Sequence, residues 1–306
     1  MPTATLVDEF ESHRPHLLSV AYRLTGSVSD AEDAVQESWL RLDDAKAANI
    51  RDLRPWLTTV VGRICLDRLR SAAVRREQYV GQWLPEPIVT GLSPSAEPDP
   101  LEAVVRDEDN RLAALIVLDT LTPAQRVAFV LHDGFGVPFD EVAGILGIET
   151  PAARQLASRA RKAAAATTPA VPDDEHAVAV QRLLEALAAG DLDAVIAALH
   201  PDALVIGDAN GTTSTAVNVI HGADKFARFF LGLIKRYGPA VFTVMQPVLV
   251  NGQLGFFSAA LTGDDAHRSS PPRVGGFTVR DGLVYAAYDI ANPEKFGGIR
   301  IPDLPS

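Results

Sequence analysis

Five prolines fall within sixteen residues, at positions 85, 87, 94, 98 and 100, and they forbid this chain from being one continuous bundle or one continuous sheet. Each proline fixes φ and removes a backbone donor, so no regular element is expected to persist across 80–106. That stretch is predicted to be a linker, with a domain over 1–80 before it and another over 107–168 after it. Pro169 and Pro172 mark a second break, and 173–306 is predicted to form a third domain. A chain of 306 residues has room for two or three cores. At 47% hydrophobic and 22% charged residues, the composition fits folded domains and excludes wholesale disorder. Cys65 is the single cysteine, which excludes an internal disulfide and a Cys-based zinc site. No leader-like segment or apolar run of about 18 residues is evident, so no membrane partner is expected and the cytoplasm is the expected location.

Before the linker the apolar spacing is helical throughout. Phe10, Leu17, Leu18, Ala21 and Leu24 predict a first helix that breaks at Gly26-Ser27. Ser29 with Glu32 three positions on predicts a capping box for a second helix, whose inward stripe is Ala31, Val35, Ser38, Trp39 and Leu42. A third helix is predicted from Pro55 to about Glu77, burying Trp56, Leu57, Val60, Ile64 and Cys65. After the linker, helices are predicted over 107–120, from the Thr122-Pro123-Ala124-Gln125 cap onward, over Phe139–Leu146 up to Gly147, and from a Thr150-Pro151 cap to about Ala166. The third domain reads as helices near 174–189, 191–199 and 222–237 followed by strands. Asn251-Gly252 and Asp281-Gly282 each lie between β-prone runs as hairpin turns, so this domain is predicted to be α+β with an antiparallel sheet.

The net charge of −11 alone argues against a nucleic-acid binder, but the average conceals two basic segments. Residues 1–53 hold five Lys/Arg against ten Asp/Glu, whereas 54–76 hold six Arg against Asp67 alone. Residues 81–149 hold three Arg against twelve acids, whereas 150–172 hold four cations and no acid. Local anion-binding faces inside an acidic protein are the expectation.

Three constellations follow. Asp30, Asp33, Glu37 and Arg41 fall on one helical stripe opposite Trp39, with Gln36 beside it; the stripe offers a flat charged handle, but spacing alone favours a solvated acidic face. Arg63, Asp67 and Arg70 form a second stripe, extended by Arg68, Arg75 and Arg76; the cluster fits phosphate binding, while Asp67 also fits a plain intrahelical partner of Arg63 or Arg70. In the helix after Pro151, Arg154, Ser158 and Arg161 share a stripe and Gln155, Arg159 and Lys162 the next, leaving the alanines and Leu156 to pack inward. Behind a short helix and a glycine turn, this fits the recognition helix of a helix-turn-helix, where Arg reads guanine and Gln adenine in the major groove. A solvated basic helix is the alternative.

In order and spacing these segments resemble the bacterial sigma factors of the extracytoplasmic-function type. Asp30 through Arg41 is similar to segment 2.2, which implies docking on the β′ clamp helices of core RNA polymerase through Asp30, Asp33, Gln36, Glu37 and Arg41. Arg54 through Arg70 is similar to segments 2.3 and 2.4, which implies promoter −10 recognition by Arg63, Asp67, Arg68, Arg70, Arg75 and Arg76. Arg63 stands where many relatives carry Asn, so their base preference does not transfer. Leu121 through Lys162 is similar to domain 4, which implies −35 recognition by Arg154, Gln155, Ser158, Arg159, Arg161 and Lys162.

Trp83-Leu84-Pro85-Glu86-Pro87, whose apolar residues are expected to dock in a groove, and Asn292-Pro293-Glu294-Lys295-Phe296 resemble segments of the subgroup with a fused SnoaL-like extension. That subgroup's Asp-Gly-Gly-Gly-Lys segment is matched loosely by Asp208-Ala209-Asn210-Gly211-Thr212. The fold class implied is multidomain: two all-α helical domains, sigma domain 2 and a helix-turn-helix sigma domain 4, followed by an α+β SnoaL/NTF2-like cone. Trp83, Leu84, Pro85, Asn292, Pro293 and Lys295 are the expected interdomain regulatory residues. The extension is expected to pack on the first two domains and bias their spacing.

Core RNA polymerase and promoter DNA are the implied partners, with a small molecule in the cone as a further expected ligand. No metal, cofactor or catalytic residue is expected, since polymerase supplies the chemistry. His200, Asp208, His221, Tyr285, Tyr288 and Asp289 are available in the cone, but no spacing among them defines a catalytic dyad. Two alternatives remain at this level. One is a helix-turn-helix regulator with a ligand-sensing domain, which has no use for an acidic stripe beside a second basic helix. The other is a SnoaL-like isomerase or cyclase fused to DNA-binding helices.

Overall fold

The left-handed turn at Gly26 (φ 67°) ends the first helix, α1 (Ala4–Thr25), and lets the chain double back into α2 (Val28–Asp44). The computed structural model describes residues 4–44, 50–76, 78–93, 99–165 and 171–301. They divide into two compact units, residues 1–78 with 96–167, and residues 79–95 with 168–306.

In the first unit α1, α2 and α3 (Leu53–Arg76) pack around Leu17, Leu24, Val35, Leu42, Leu57 and Ile64, all buried. Burying each such side chain stabilises the fold by about 1.5–3 kcal/mol before chain entropy is counted. Trp39 is only half buried and rests on Phe10, the rings 4.9 Å apart. Trp56 is likewise half buried. The cap of α2 falls earlier than the Ser29/Glu32 box predicts: Ser27 Oγ accepts the Asp30 amide at 3.1 Å. α1 runs through Pro15 without a break.

Helices resume sooner than expected after the linker. Asp99 caps α4 (Pro100–Val105) by accepting the Leu101 amide at 2.7 Å, so Pro100 starts a helix where a break was predicted. A 3-10 turn (Glu108–Asn110), α5 (Leu112–Asp119), α6 (Pro123–Phe129), α7 (Phe139–Leu146) and α8 (Thr150–Ala164) follow. The Thr122/Gln125 capping box of α6 is present in both halves. Thr150 does not cap α8; the N-cap position is Glu149, with no side-chain bond. Gly147 ends α7 in the left-handed conformation, giving the tight turn into α8.

The two helical sets of this unit pack on each other. Arg126, 2% exposed, reaches from α6 to the Arg23 carbonyl that α1 leaves unsatisfied at its end, through Nε at 3.4 Å and Nη2 at 3.3 Å, and Nη1 pairs with Asp119 at 3.1 Å. Gly62 of α3 leaves space for the Leu131 and Ile145 side chains, and Thr59 of α3 donates to Glu141 of α7 at 3.4 Å.

The second unit is an eight-stranded sheet in the order β3-β2-β7-β6-β5-β4-β1-β8. Its strands are β1 (Val89–Thr90), β2 (Leu199–Asp208), β3 (Ile220–His221), β4 (Met245–Val250), β5 (Gln253–Ser258), β6 (Arg273–Arg280), β7 (Leu283–Ile290) and β8 (Ile299–Arg300). The sheet is mixed: β2 runs parallel to β7 and β1 parallel to β8, because both pairs join distant chain segments. The predicted hairpins form β4/β5 and β6/β7, with Asn251 (φ 49°) and Asp281 (φ 53°) ahead of their glycines in the left-handed region a two-residue turn requires. Helices α9 (Asp173–Ala189), α10 (Leu192–Ala197) and α11 (Ala223–Tyr237) contribute Val180, Leu183, Val195 and Phe226 to a core with Val205, Phe277 and Val279. The linker holds a strand, contrary to expectation: Val89 and Thr90 lie beyond Pro87 and pair with both β4 and β8. Leu84 through Thr90 are all buried.

Candidate functional site

The stripe on α2 is acidic as read, but it is not free of cations. Arg68 of α3 reaches across to it, Nη1 lying 2.9 Å from Asp30 and 3.4 Å from Asp33, and Nη2 3.9 Å from Glu37. Arg41 closes on Glu37 at 2.6 Å, one helical turn away. Asp33 and Gln36 remain exposed. Arg68 was expected among the promoter-facing cations; the structure seats it in the acidic face, where the three carboxylates hold its proton more tightly despite partial burial. Beside it Arg63, Asp67 and Arg70 are exposed on α3, and Arg70 pairs with Asp67 at 3.6 Å. The side chains of Arg75 and Arg76 lie outside the described residues. Cys65 is wholly buried beneath this face, and burial pushes its thiol far above the ordinary range, so it cannot act as a nucleophile.

On α8 the division is complete. Ala153, Ala157 and Ala160 are buried, while Arg154, Gln155, Ser158, Arg159, Arg161 and Lys162 are all exposed on the opposite side. Arg154 lies 5.7 Å over the Phe139 ring and Arg161 pairs with Asp133 at 2.5 Å. The outward row is cationic with one amide and one hydroxyl, the donor and acceptor set that base edges and phosphates require.

In the second unit a buried polar knot holds residues 79–88. Lys295 Nζ donates to the Asp208 carboxylate and to the Leu84 carbonyl, and it lies 4.1 Å over the Trp83 ring. The other donors to Asp208 are the Leu84 amide, at 2.7 Å, and the Tyr79 hydroxyl. Asn292 caps the 3-10 turn Pro293–Gly298 and passes its amide to Tyr79 Oη at 2.9 Å. Burial and the Asp208 carboxylate both push the Tyr79 phenol up, so its proton stays in place. Further along, Asn251 accepts the Ile88 amide at 3.2 Å through its side chain and returns its own amide to the Ile88 carbonyl at 2.8 Å. Of the six expected regulatory residues, Trp83, Leu84, Asn292 and Lys295 meet here, Pro85 is buried alongside, and Pro293 is exposed.

The cone also encloses an apolar cavity, lined among others by Leu184, Leu187, Phe230, Ile234, Phe256 and Phe277. Its charged lining is one ion pair, Arg273 Nη1 to Asp289 Oδ2 at 2.5 Å, with side-chain exposures of 7% and 2%. The other polar groups noted in the sequence lie apart: Tyr288 shares a bond with Thr278 at 2.9 Å, and burial pushes its phenol up to about 12. His200 packs edge-on against Tyr285, and His221 is exposed in β3. Among the described residues there is no cluster of three or more His, Cys, Asp or Glu placed to hold a metal, and no helix long and apolar enough to cross a membrane.

Three family models match in chain order: Sigma-70 region 2 over residues 10–75, Sigma-70 region 4 over 112–163 and a SnoaL-like domain over 180–287. Across 295 residues the chain is 58% identical to the ECF RNA polymerase sigma factor SigJ of Mycobacterium tuberculosis, covering 95% of this chain and 93% of that protein. The chain belongs to the extracytoplasmic-function sigma factors. The crystal structure of SigJ matches this fold with a TM-score of 0.83 at 56% identity, covering 96% of this chain and 99% of that one. A second relative, the probable ECF sigma factor SigI of the same organism, is 37% identical over 265 residues, or 83% of this chain and 85% of that protein.

Within this sigma factor, region 2 contains the acidic face with Arg68, region 4 contains α8, and the SnoaL-like domain contains the cavity. Sequence reading gave no role to Tyr79, Asn210, Asn251, Arg126 or Arg273. Asn251 carried a turn signal alone, and nothing in its spacing indicates that its side chain also caps residue 88. A buried arginine such as Arg126 has no sequence signature, because arginine is ordinarily a surface residue.

Proposed function

We propose that this sigma factor docks on the β′ clamp helices of core RNA polymerase through Asp30, Asp33, Gln36, Glu37 and Arg41. In this reading Arg63, Asp67, Arg70 and the end of α3 capture the −10 element, and Arg154, Gln155, Ser158, Arg159 and Lys162 read the −35 element. Arg68 and Arg161, each paired to carboxylates, serve these surfaces by holding them in shape and join the DNA contact only on exchanging partners. The observation that carries the proposal is the division of labour within one chain: an acidic face on α2 and a wholly exposed cationic row on α8. The protein acts wherever the polymerase is, the cytoplasm.

The free form fits a resting state. Elements centred at −10 and −35 lie about 25 base pairs apart, ~85 Å at ~3.4 Å per pair. Here α3 touches α7, the helix immediately before α8. Engaging both elements requires the two helical sets to part at the Arg126–Arg23 contact. The SnoaL-like domain modulates activity by its grip on residues 79–88, and a small molecule in its cavity is the ligand that sets the grip.

Co-elution with core polymerase tests the docking. Glu37→Lys and Asp33→Lys should abolish co-elution and initiation in vitro while the fold persists by circular dichroism. Retention of both activities would overturn the proposal.

A further inference from the structure

One turn of π-helix, Val130–Gly134, supports both ends of the outward row on α8. Its exit is a tight loop. Gly136, at φ 69°, donates its amide to the His132 carbonyl at 3.0 Å, and the Val137 amide donates to the Leu131 carbonyl at 2.9 Å. His132 Nδ1 donates in turn to the Val137 carbonyl at 2.9 Å, which fixes the ring. Phe139, the first residue of α7, stacks on that ring with centroids 3.6 Å and planes 25° apart. The Arg154 guanidinium lies 5.7 Å over the Phe139 centroid, within cation–π range. The neighbour of His132 serves the other end of the row: Asp133 Oδ1 accepts Arg161 Nε at 2.5 Å, their side chains 25% and 46% exposed.

The two contacts do opposite things to an arginine. Stacking uses the face of the guanidinium and leaves its N–H edge to a base, while removing part of the rotamer freedom that a bidentate contact would otherwise remove on binding. Arg154 stands in the first half of α8, the part of a recognition helix that meets base edges. Pairing with Asp133 instead occupies an N–H donor and offsets the charge. Arg161, in the last turn of α8, can reach a phosphate only by leaving a carboxylate that itself repels the phosphate.

We infer that Phe139 and Asp133 are positioning residues that divide the recognition row: Phe139, braced by His132, aims Arg154 at a base pair, and Asp133 withholds Arg161 from the DNA backbone. Base choice is thereby concentrated in the first half of α8 and affinity is held down at its end. This rests on the reading that α8 recognises the −35 element.

The test uses full-length chain in holoenzyme and a duplex library randomised over both promoter elements, sequenced after selection. Arg154→Ala identifies the position Arg154 reads. Phe139→Leu should reduce discrimination there by about three-fold, the range of an exposed cation–π contact, leave the other positions unchanged, and add nothing to Arg154→Ala. Phe139→Tyr, which keeps the ring, should restore it. On the selected duplex, Asp133→Ala should raise affinity about three-fold without altering base choice and steepen the salt dependence by about one counterion, and Arg161→Met should cancel the steepening. Phe139→Leu acting on no position or on all alike would overturn the aiming of Arg154. An unchanged salt slope in Asp133→Ala, or the same steepening with Arg161→Met present, would overturn the withholding of Arg161. If Arg154→Ala alters no position, the −35 reading falls and takes the proposal with it; an effect of Arg154→Ala without one of Phe139→Leu removes the aiming of Arg154 and leaves that reading in place.

Discussion

Lys295 and Asp208 form a buried ion pair whose ammonium also satisfies the Leu84 carbonyl, so one lysine ties the sheet end of the cone to residues that precede the cone by some ninety positions. Burying this pair stabilises little by itself, but removing one partner strands the other away from water. Lys295→Met is expected to lower the stability of the cone by about 3 kcal/mol, the cost typical of breaking a buried pair. It should also expose 79–88 to protease; denaturant titration with limited proteolysis checks both, and an unchanged digest would refute the role given to Lys295.

Arg68 and Arg63 should separate two functions that their shared helix confuses. Arg68→Met removes the cation that three carboxylates surround, and is expected to cost about 1 kcal/mol and to weaken co-elution with core polymerase. Arg63→Met, on an exposed site, should leave stability and co-elution intact while reducing −10 opening, read by permanganate footprinting.

Region 4 should lose specificity and affinity at different residues. Arg154→Ala and Gln155→Ala are expected to relax discrimination at single −35 positions by about 1–3 kcal/mol each. Lys162→Ala should weaken all promoters alike and lower the salt dependence of binding by about one counterion. Holoenzyme binding to −35 point variants across a salt series distinguishes the two patterns.

His16 gives the fold a pH dependence of known sign. Burial, with help from Arg54 and His13, holds its pKa down from 6.5 to about 4. The neutral ring accepts from Arg54 at Nδ1 (3.1 Å), so Nε2 donates to Thr58 (3.0 Å). The unfolded chain therefore binds this proton more readily than the folded one. The contribution is complete above pH 6.5 and is lost as pH falls from there to about 4. Partial exposure limits the loss to roughly 1–2 kcal/mol. His16→Gln should flatten that part of the stability curve in urea titrations at pH 7, 5.5 and 4.

Local rules were sufficient where an element is stabilised by its own neighbours in sequence. The α6 capping box, the Gly147 stop and the Asn251-Gly252 and Asp281-Gly282 turns were all legible because each depends on residues two to four positions apart. Prolines 85–100 misled for the same reason. Locally they forbid a regular element, yet Pro100 opens α4 and Val89-Thr90 finds strand partners about 160 and 210 residues away.

The sequence by itself determined the two basic helices and the hairpins, because charge periodicity and turn chemistry are written in short windows, and its motifs carried the resemblance to the family. Only the tertiary structure decided that Arg68 belongs to the acidic face, that Arg126 closes the end of α1, that residues 79–88 are bound into the cone, and that Arg273 and Asp289 meet in its cavity. Pairing across tens or hundreds of residues leaves no period in the chain; it is fixed by the requirement that every buried charge and backbone group find a partner, which can be met only once the fold has closed.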